Sequence, residues 1–141
     1  MLRRLTIDDH AAILALWQRA GLCSIRPEGR DSRSEFEKQF AGGQIAIGLE
    51  EDDRLIGVVI VTSDTRKGWI NRLAIDPYYQ RKGFGEQLVC AAEDALHEAG
   101  IHLTAAFIEE GNVASLTLFE KLGYATHQHI VYVSKRDSAD A

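Results

Sequence analysis

The turn at residues 80–85 determines the architecture that we expect, and it consists of Gln80, Arg81, Lys82, Gly83, Phe84 and Gly85. It follows an apolar run that ends at Asp76, and it precedes a run with apolar residues at helical spacing. The pattern predicts a strand, a glycine-containing turn and a helix that begins near Gly83. The first N–H groups of a helix have no partner within it, and the helix dipole adds about half a positive charge there. With Arg81 and Lys82 beside the glycines, the sequence predicts an anion-binding turn.

Nucleotide-binding proteins also use turns with two glycines. A dinucleotide-binding turn would have a third glycine where this chain has Leu88, and its glycines would follow the strand directly instead of after residues 77–80. A triphosphate-binding loop would have a Lys-Ser or Lys-Thr pair after Gly83, and this chain has none. These differences disfavour both nucleotide sites. A plain structural turn with solvated basic residues remains an alternative.

The flanking sequence predicts the other elements of the fold. Strands are predicted at 2–5, 44–49, 55–62, 68–76, 101–108 (a buried strand) and 124–133 (one strand or a pair). Helices are predicted from a cap at Thr6 to near Gly21, and at 32–40, 83–99 and 112–122. The order is βααβββαβαβ. We expect a single domain over residues 1–134 and a polar tail at 135–141.

Composition and charge exclude several classes of function. Hydrophobic residues make up 45% of the 141 residues and charged residues 26%, which is typical of one soluble globular domain. The net charge of −5 argues against nucleic-acid binding. No apolar run reaches the roughly 20 residues that span a bilayer, and no signal peptide is visible, so we expect no membrane partner and a cytoplasmic location. Cys23 and Cys90 lack metal-site or redox spacing, and no metal is expected.

A second polar feature occurs on the helix predicted at 112–122. Asn112 and Ser115 fall on its inward arc, together with apolar residues that include Phe119. Asn112 could simply cap the helix, and Ser115 could cap it or bond back to a carbonyl. Alternatively, this face lines a ligand slot.

Two blocks of sequence resemble the GCN5-related N-acetyltransferase (GNAT) superfamily. The first is Leu73-Ala74-Ile75-Asp76-Pro77-Tyr78-Tyr79-Gln80-Arg81-Lys82-Gly83-Phe84-Gly85, and the second is Asn112-Val113-Ala114-Ser115-Leu116-Thr117-Leu118-Phe119-Glu120-Lys121-Leu122-Gly123-Tyr124. The resemblance implies an α/β fold with a mixed, mostly antiparallel central sheet, flanked by about four helices and splayed between its two central parallel strands. It also implies transfer of an acetyl group from acetyl-CoA (coenzyme A) to a primary amine on a small molecule, a peptide N-terminus or a lysine. A non-catalytic acyl-CoA sensor is the alternative.

The resemblance further implies which residues contact acetyl-CoA. The pyrophosphate would lie against the turn, and the acetyl-pantetheine arm against the strand and the second block. The residues expected to bind it are Leu73, Ala74, Ile75, Gln80, Arg81, Lys82, Gly83, Phe84, Gly85, Glu86, Asn112, Ser115 and Phe119. Homodimers through the last strands are a further possibility in this family.

The catalytic and acceptor-binding residues are less clear from the sequence. Relatives often place a glutamate on a central strand, whereas this chain has none there. Glu109, two residues after Phe107 and so on the same strand face, becomes the candidate base. The resemblance also implies a tyrosine that protonates the departing thiolate, but its position is occupied by Phe119, which cannot donate a proton. Because a coenzyme A thiol has a pKa of about 8.5, it can leave as the thiolate without an acid. Arg30 and Arg33, between the first two helices, are candidates for binding the acceptor, and a solvated loop is equally compatible.

Overall fold

The computed structural model describes all residues, 1–141. Its strands are β1 (Leu2–Arg4), β2 (Ile45–Glu51), β3 (Arg54–Ser63), β4 (Gly68–Ile75) and β5 (Thr104–Ala106). Its helices are α1 (His10–Arg19), α2 (Arg33–Ala41), α3 (Phe84–Glu98) and α4 (Val113–Lys121). Two 3-10 turns lie at Ile7–Asp9 and Pro77–Tyr79. None of these helices combines the length and the apolar character needed to cross a bilayer.

The five strands form one sheet in the order β1-β2-β3-β4-β5. The first four are antiparallel to their neighbours, and β4 and β5 are parallel. Pairing of β4 with β5 runs only from Gly68–Thr104 to Ile70–Ala106, where β5 ends, and beyond this point β4 and the segment that follows β5 separate around a cavity. The predicted GNAT fold, with its mixed, mostly antiparallel, splayed sheet and about four helices, is confirmed.

Local sequence explains several of the boundaries. Asp52 and Asp53 both have positive φ, 51° and 60°, which suits the two-residue turn of a twisted β2–β3 hairpin. Ser32 accepts a hydrogen bond from the Glu35 N–H and so starts α2. Thr6 forms a capping box with Asp9, as expected, but this box opens the first 3-10 turn, and α1 begins after it at His10.

Both faces of the sheet are covered. One core cluster joins β2, β3 and β4 to α3, and its members include Ile56, Leu88 and Val89. The other joins the opposite face to α1 and α2, and its members include Trp17 and Phe36. Because β3 supplies side chains to both clusters, its sequence is apolar over nearly its whole length.

The sequence predictions for the C-terminal third were partly wrong. The strand predicted as buried over 101–108 covers only Thr104–Ala106, is half-buried, and is followed by an exposed Phe107. Residues 124–133 form no strand, and residues 130–133, all apolar, are exposed. The apolar composition predicted a strand, but a strand also requires a partner edge, and these residues pair with none in this structure.

Candidate functional site

A cavity of about 320 Å³ lies between the C-terminal part of β4 and the segment that follows β5, and we call it the splay cavity. Its walls come from β4, from the segment after β5, from α4 and from the segment after α1. The lining residues are Ala20, Gly21, Leu22, Cys23, Ser24, Ile70, Arg72, Leu73, Ala106, Phe107, Ile108, Glu109, Asn112, Ser115 and Phe119.

Because β5 ends at Ala106, the main-chain groups in the C-terminal part of β4 have no partner on that edge of the strand. Asp76 donates its N–H to the carbonyl of Ile56 on β3 (2.7 Å). Because N–H groups alternate between the two edges of a strand, the N–H of Ile75 points to the opposite edge, which β5 has left. A register shift opposite β3 and a positive φ of 49° at Arg72 mark a bulge just before Leu73. The edge of β4 therefore offers unpaired donors toward the gap.

Asp76 joins the end of β4 to the turn that follows. Its carboxylate is almost fully buried, accepts the Tyr78 N–H (3.0 Å), and pairs with Arg19 (2.9 Å) and Arg54 (3.6 Å). Burial alone would raise the pKa of this carboxyl, but the Tyr78 hydrogen bond and the two arginines outweigh it and lower the pKa. The turn is thus held against α1 and β3.

The turn at residues 80–85 ends in the uncapped start of α3. Gly83 adopts the left-handed conformation (φ 83°) at the N-cap, and no side chain caps the helix. Arg81 also has a positive φ, 62°. The first backbone bond into the helix comes from the Gln87 N–H to the Gly83 carbonyl (3.2 Å), so the three preceding N–H groups are free. Because Arg81 and Lys82 are exposed beside them, the turn can bind an anion.

Gly85 and Glu86 attach this turn to α4. A Cβ on Gly85 would lie 3.2 Å from Cδ2 of Leu118, so glycine permits the close approach of the two helices. Glu86 pairs with Lys121 (2.9 Å), and this hydrogen bond raises the pKa of Lys121. The anion-binding turn and the α4 wall of the splay cavity are therefore held together.

The N-terminal half of α4 faces the splay cavity. Asn112 caps the helix by accepting the Ser115 N–H (3.2 Å), and both residues also line the cavity. The capping role and the lining role considered from the sequence therefore coexist. Phe119 is 5% exposed and contacts the ring of Tyr124 at 4.8 Å. Burial and a hydrogen bond to Glu93 (2.6 Å) raise the pKa of Tyr124, so its hydroxyl keeps its proton and donates a hydrogen bond to the Glu93 carboxylate.

Glu109 lies in the wall of the splay cavity, with an exposed side chain. Its placement was predicted by strand alternation from Phe107, and that reason was wrong because β5 ends at Ala106. The residue nevertheless reaches the same cavity as Phe107, on the segment that leads into α4. It is the only carboxylate among the lining residues.

A second cavity, of about 330 Å³, adjoins the first, and we call it the arginine cavity. Its lining residues are Trp17, Arg30, Asp31, Phe36, Gln39, Gln44, Ile60, Asn71, Arg72 and Phe107. Arg72 and Phe107 line both cavities, so the two spaces meet at these side chains. Arg72 binds buried Asp31 (2.5 Å) and lies over the ring of Trp17 (4.7 Å).

The structure brings together some of the predicted site residues. Those in the splay cavity are Leu73, Glu109, Asn112, Ser115 and Phe119. Ala74 is buried in the core cluster of α1 and α2. Arg30 lines the arginine cavity, whereas Arg33 lies outside it, near Asp8 (3.9 Å) and Glu37 (3.8 Å). Sequence reasoning missed Arg72, although a lone cation inside an apolar strand was a usable signal.

Comparison with known proteins was informative at both the sequence and the structural level. Residues 11–124 match the model of the acetyltransferase (GNAT) family. An acetyltransferase of Photorhabdus laumondii is 25% identical over 131 residues, covering 92% of this chain and 90% of the relative. The [ribosomal protein bS18]-alanine N-acetyltransferase of Salmonella typhimurium is 29% identical over 111 residues, covering 74% of this chain and 75% of the relative.

Solved structures share the fold at lower identity. The PaiA N-acetyltransferase of Thermoplasma acidophilum, in complex with coenzyme A, has a TM-score of 0.78 and 19% identity, with 90% of each chain covered. A predicted acetyltransferase of Clostridium acetobutylicum, with acetyl-CoA, has a TM-score of 0.78 and 15% identity, with 95% of each chain covered. Since the family match spans both the anion-binding turn and α4, this chain belongs to the acetyltransferase (GNAT) family.

Proposed function

We propose that this chain transfers the acetyl group of acetyl-CoA to a primary amine. The observation that carries the proposal is the position of the uncapped α3 N-terminus at the end of the turn that follows β4, the strand whose free edge lines the splay cavity. An anion held at the turn and a slender arm laid along β4 would therefore belong to one extended ligand. Relatives crystallised with coenzyme A or acetyl-CoA support this choice of ligand.

The residues present fit coenzyme A. Free N–H groups of Phe84, Gly85 and Glu86, with Arg81 and Lys82, would hold the pyrophosphate. Gln80 and Gly83 shape the turn itself. The edge of β4 at Leu73 to Ile75 would bond the amide groups of the pantetheine arm, as an added strand does.

On the opposite wall of the cavity, α4 would contact the end of the arm. Asn112 and Ser115 would offer polar contacts there, and Phe119 an apolar one. When bound, acetyl-CoA supplies an activated acetyl group as a thioester.

The protein must also help the acceptor amine to lose its proton, because only the neutral amine attacks the thioester. An amine of pKa about 10.4 is neutral in only about one molecule in a few thousand at pH 7, a deficit of roughly 4 to 5 kcal/mol. Glu109, on the wall of the splay cavity, would accept the proton directly or through water. An unpaired N–H of β4 would polarise the thioester carbonyl. These are the two catalytic tasks that we assign to the chain itself.

The departing thiolate does not require an acid in this site. By the family resemblance Phe119 occupies the position of a proton-donating tyrosine, and the nearby Tyr124 hydroxyl donates to Glu93. A thiol of pKa about 8.5 leaves as a stable thiolate near neutral pH, so the reaction proceeds without a donor at this position.

The acceptor would enter through the arginine cavity, which meets the splay cavity at Arg72 and Phe107. Arg30 belongs to its wall and is the predicted acceptor contact that we retain there. Arg33 lies outside the wall, so we propose for it an outer role in acceptor approach. A primary amine is favoured because the Salmonella typhimurium relative is an alanine N-acetyltransferase.

The test is release of free thiol from acetyl-CoA in the presence of a panel of primary amines, with mass analysis of the acetylated products. We expect amine-dependent thiol release with one acetyl group added per thiol. Tight binding of acetyl-CoA without turnover on any amine would contradict the proposal and identify a binding module. The same assay with tertiary amines serves as the control, because a tertiary amine cannot form an amide.

A further inference from the structure

The arginine cavity has an excess of positive charge, and its only carboxylate is already bound. Asp31 is 3% exposed, and it accepts hydrogen bonds from Arg72 (2.5 Å) and from the N–H of Arg26 (2.7 Å). Arg30 makes no hydrogen bond to Asp31, since its Nε lies 4.0 Å from that carboxylate, and its Nη2 donates to the carbonyl of Ser24 (2.8 Å) instead. That Nε is buried and makes no hydrogen bond.

Four arginines converge on this region. Burial lowers the pKa of Arg30, and so do the positive charges of Arg72, Arg136 and Arg26. Burial is the largest cause of this lowered pKa, and the charges of Arg72 and Arg136 each lower the pKa of Arg30 more than Asp31 raises it, so the field of the neighbouring charges is positive here. A cationic group would be repelled here, and an anionic one would be attracted.

Oxygen atoms of the chain itself already bind to these arginines. The carbonyl of Ala139 accepts a hydrogen bond from Arg26 Nε (3.1 Å), and the main-chain oxygen of Ala141 accepts from Arg30 Nη1 (3.4 Å) and from Arg136. Gly29 permits this approach, because a Cβ at that position would collide with the carbonyl of Asp140. The arginines are therefore oriented to bind oxygen acceptors from outside the cavity wall.

We propose that the acceptor amine also carries a carboxylate, as amino acids and short peptides do, and that Arg30 and Arg72 bind that carboxylate while the amine points to the splay cavity. This inference rests on the proposed acetyl transfer and specifies its acceptor. Arginine suits the role because its fork of N–H groups pairs with both oxygens of a carboxylate. A polycationic acceptor would find only the occupied Asp31 in this cavity.

The experiment compares amino acids with their primary amides, which lack the negative charge. Both α- and ω-amino acids are included, because the distance between amine and carboxylate is then varied. We measure kcat/KM for each acid and its amide with the parent protein, Arg30→Gln, Arg30→Lys, Arg72→Lys and Arg66→Gln. Acid and amide differ in amine pKa, but this difference cancels when the acid-to-amide ratio is compared between variants.

We expect the acid-to-amide ratio to fall at least tenfold in Arg30→Gln, mainly through KM for the acid, and to be partly restored in Arg30→Lys. Arg72→Lys should lower the ratio and keep Asp31 paired. Arg66, in the β3–β4 turn, lines neither cavity, so Arg66→Gln should keep the parent's ratio. Thermal unfolding of each variant establishes that it is folded.

An unchanged ratio in Arg30→Gln, or a parent that prefers every amide, would overturn the inference while leaving acetyl transfer intact. If no amine is acetylated, the proposed function fails instead. Calorimetric titration with the same acids and amides then tests the carboxylate site alone: the acid should bind to the parent and lose affinity in Arg30→Gln, and equal binding of acid and amide would contradict the proposal.

Discussion

Nη1 of Arg72 on β4 lies 2.5 Å from Oδ1 of Asp31, across 41 residues of sequence. The same guanidinium lies over the ring of Trp17 on α1, at 4.7 Å. Arg72 thus connects the central sheet to the layer formed by α1 and the segment before α2. Since Arg72 lines both cavities, its ion pair with Asp31 fixes a side chain that lies between the two cavities.

Asp31→Ala should lower the free energy of unfolding by about 3 kcal/mol, because it leaves the half-buried Arg72 guanidinium and the Arg26 N–H without their acceptor. Denaturant unfolding measures the change. The double variant Asp31→Ala with Arg72→Met should lose less than the sum of the two single variants, since the unpaired charge is removed as well. Strict additivity would mean that the pair contributes nothing through its mutual contact.

Gly83→Asp should raise KM for acetyl-CoA about tenfold or more relative to Gly83→Asn, by placing a negative charge where the pyrophosphate would bind. The two side chains are nearly equal in size, and both tolerate the positive φ of this position, so their difference isolates charge.

The second measurement for these variants uses S-acetylpantetheine, which lacks the pyrophosphate. We expect equal KM values for it in Gly83→Asp and Gly83→Asn. A similar deficit with both donors would place the defect in folding or in the arm's binding site, and would contradict a pyrophosphate contact at this turn.

Glu109→Gln should lower kcat at pH 7 by about 10²-fold, the usual size of a lost general base, with little change in KM for acetyl-CoA. The deficit should shrink as the pH approaches the pKa of the acceptor amine, because the amine then loses its proton without help. Glu110→Gln is the matched control, since the neighbouring glutamate does not line the splay cavity. Equal effects of the two substitutions at every pH would remove Glu109 from the mechanism.

The buried carboxylate of Asp76 predicts a dependence of stability on pH. Its pKa is lower in the folded chain than in the unfolded one, so its contribution is complete above about pH 5 and is lost as the pH falls through the folded pKa. Asp76→Asn should therefore be less stable than the parent at pH 7, and the gap should narrow toward pH 3. Thermal midpoints measured across this range test the expectation, and a constant gap would contradict it.

Local signals predicted the central part of the molecule well. The end of β4, the start of α3 near Gly83 and the Asn112 cap all depend on residues within a few positions of one another. Such signals act through backbone conformation and capping, which the sequence encodes directly. The glycine-containing turn before α3 and the inward-facing side of α4 were predictable for this reason, and anion binding at the turn stays a prediction.

Contacts between distant segments were not predictable in the same way. The pairing of Arg72 with Asp31 depends on how the segment before α2 packs on the sheet, and no local pattern indicates it. The strand predicted at 124–133 failed similarly, because apolar composition does not specify a partner edge. Glu109 lines the splay cavity, but the strand alternation that indicated it as a candidate base stops with β5, and its catalytic role stays a prediction.

The contacts of residues 139 and 141 with Arg26 and Arg30 use main-chain oxygen atoms alone. Every amino acid has the same main-chain oxygen, so the side chains at these two positions can be replaced without loss of the contact. Substitutions at residues 139 and 141 should therefore leave the tail bound to the two arginines. Any replacement of Gly29 should displace the tail, because its Cβ would collide with the carbonyl of Asp140.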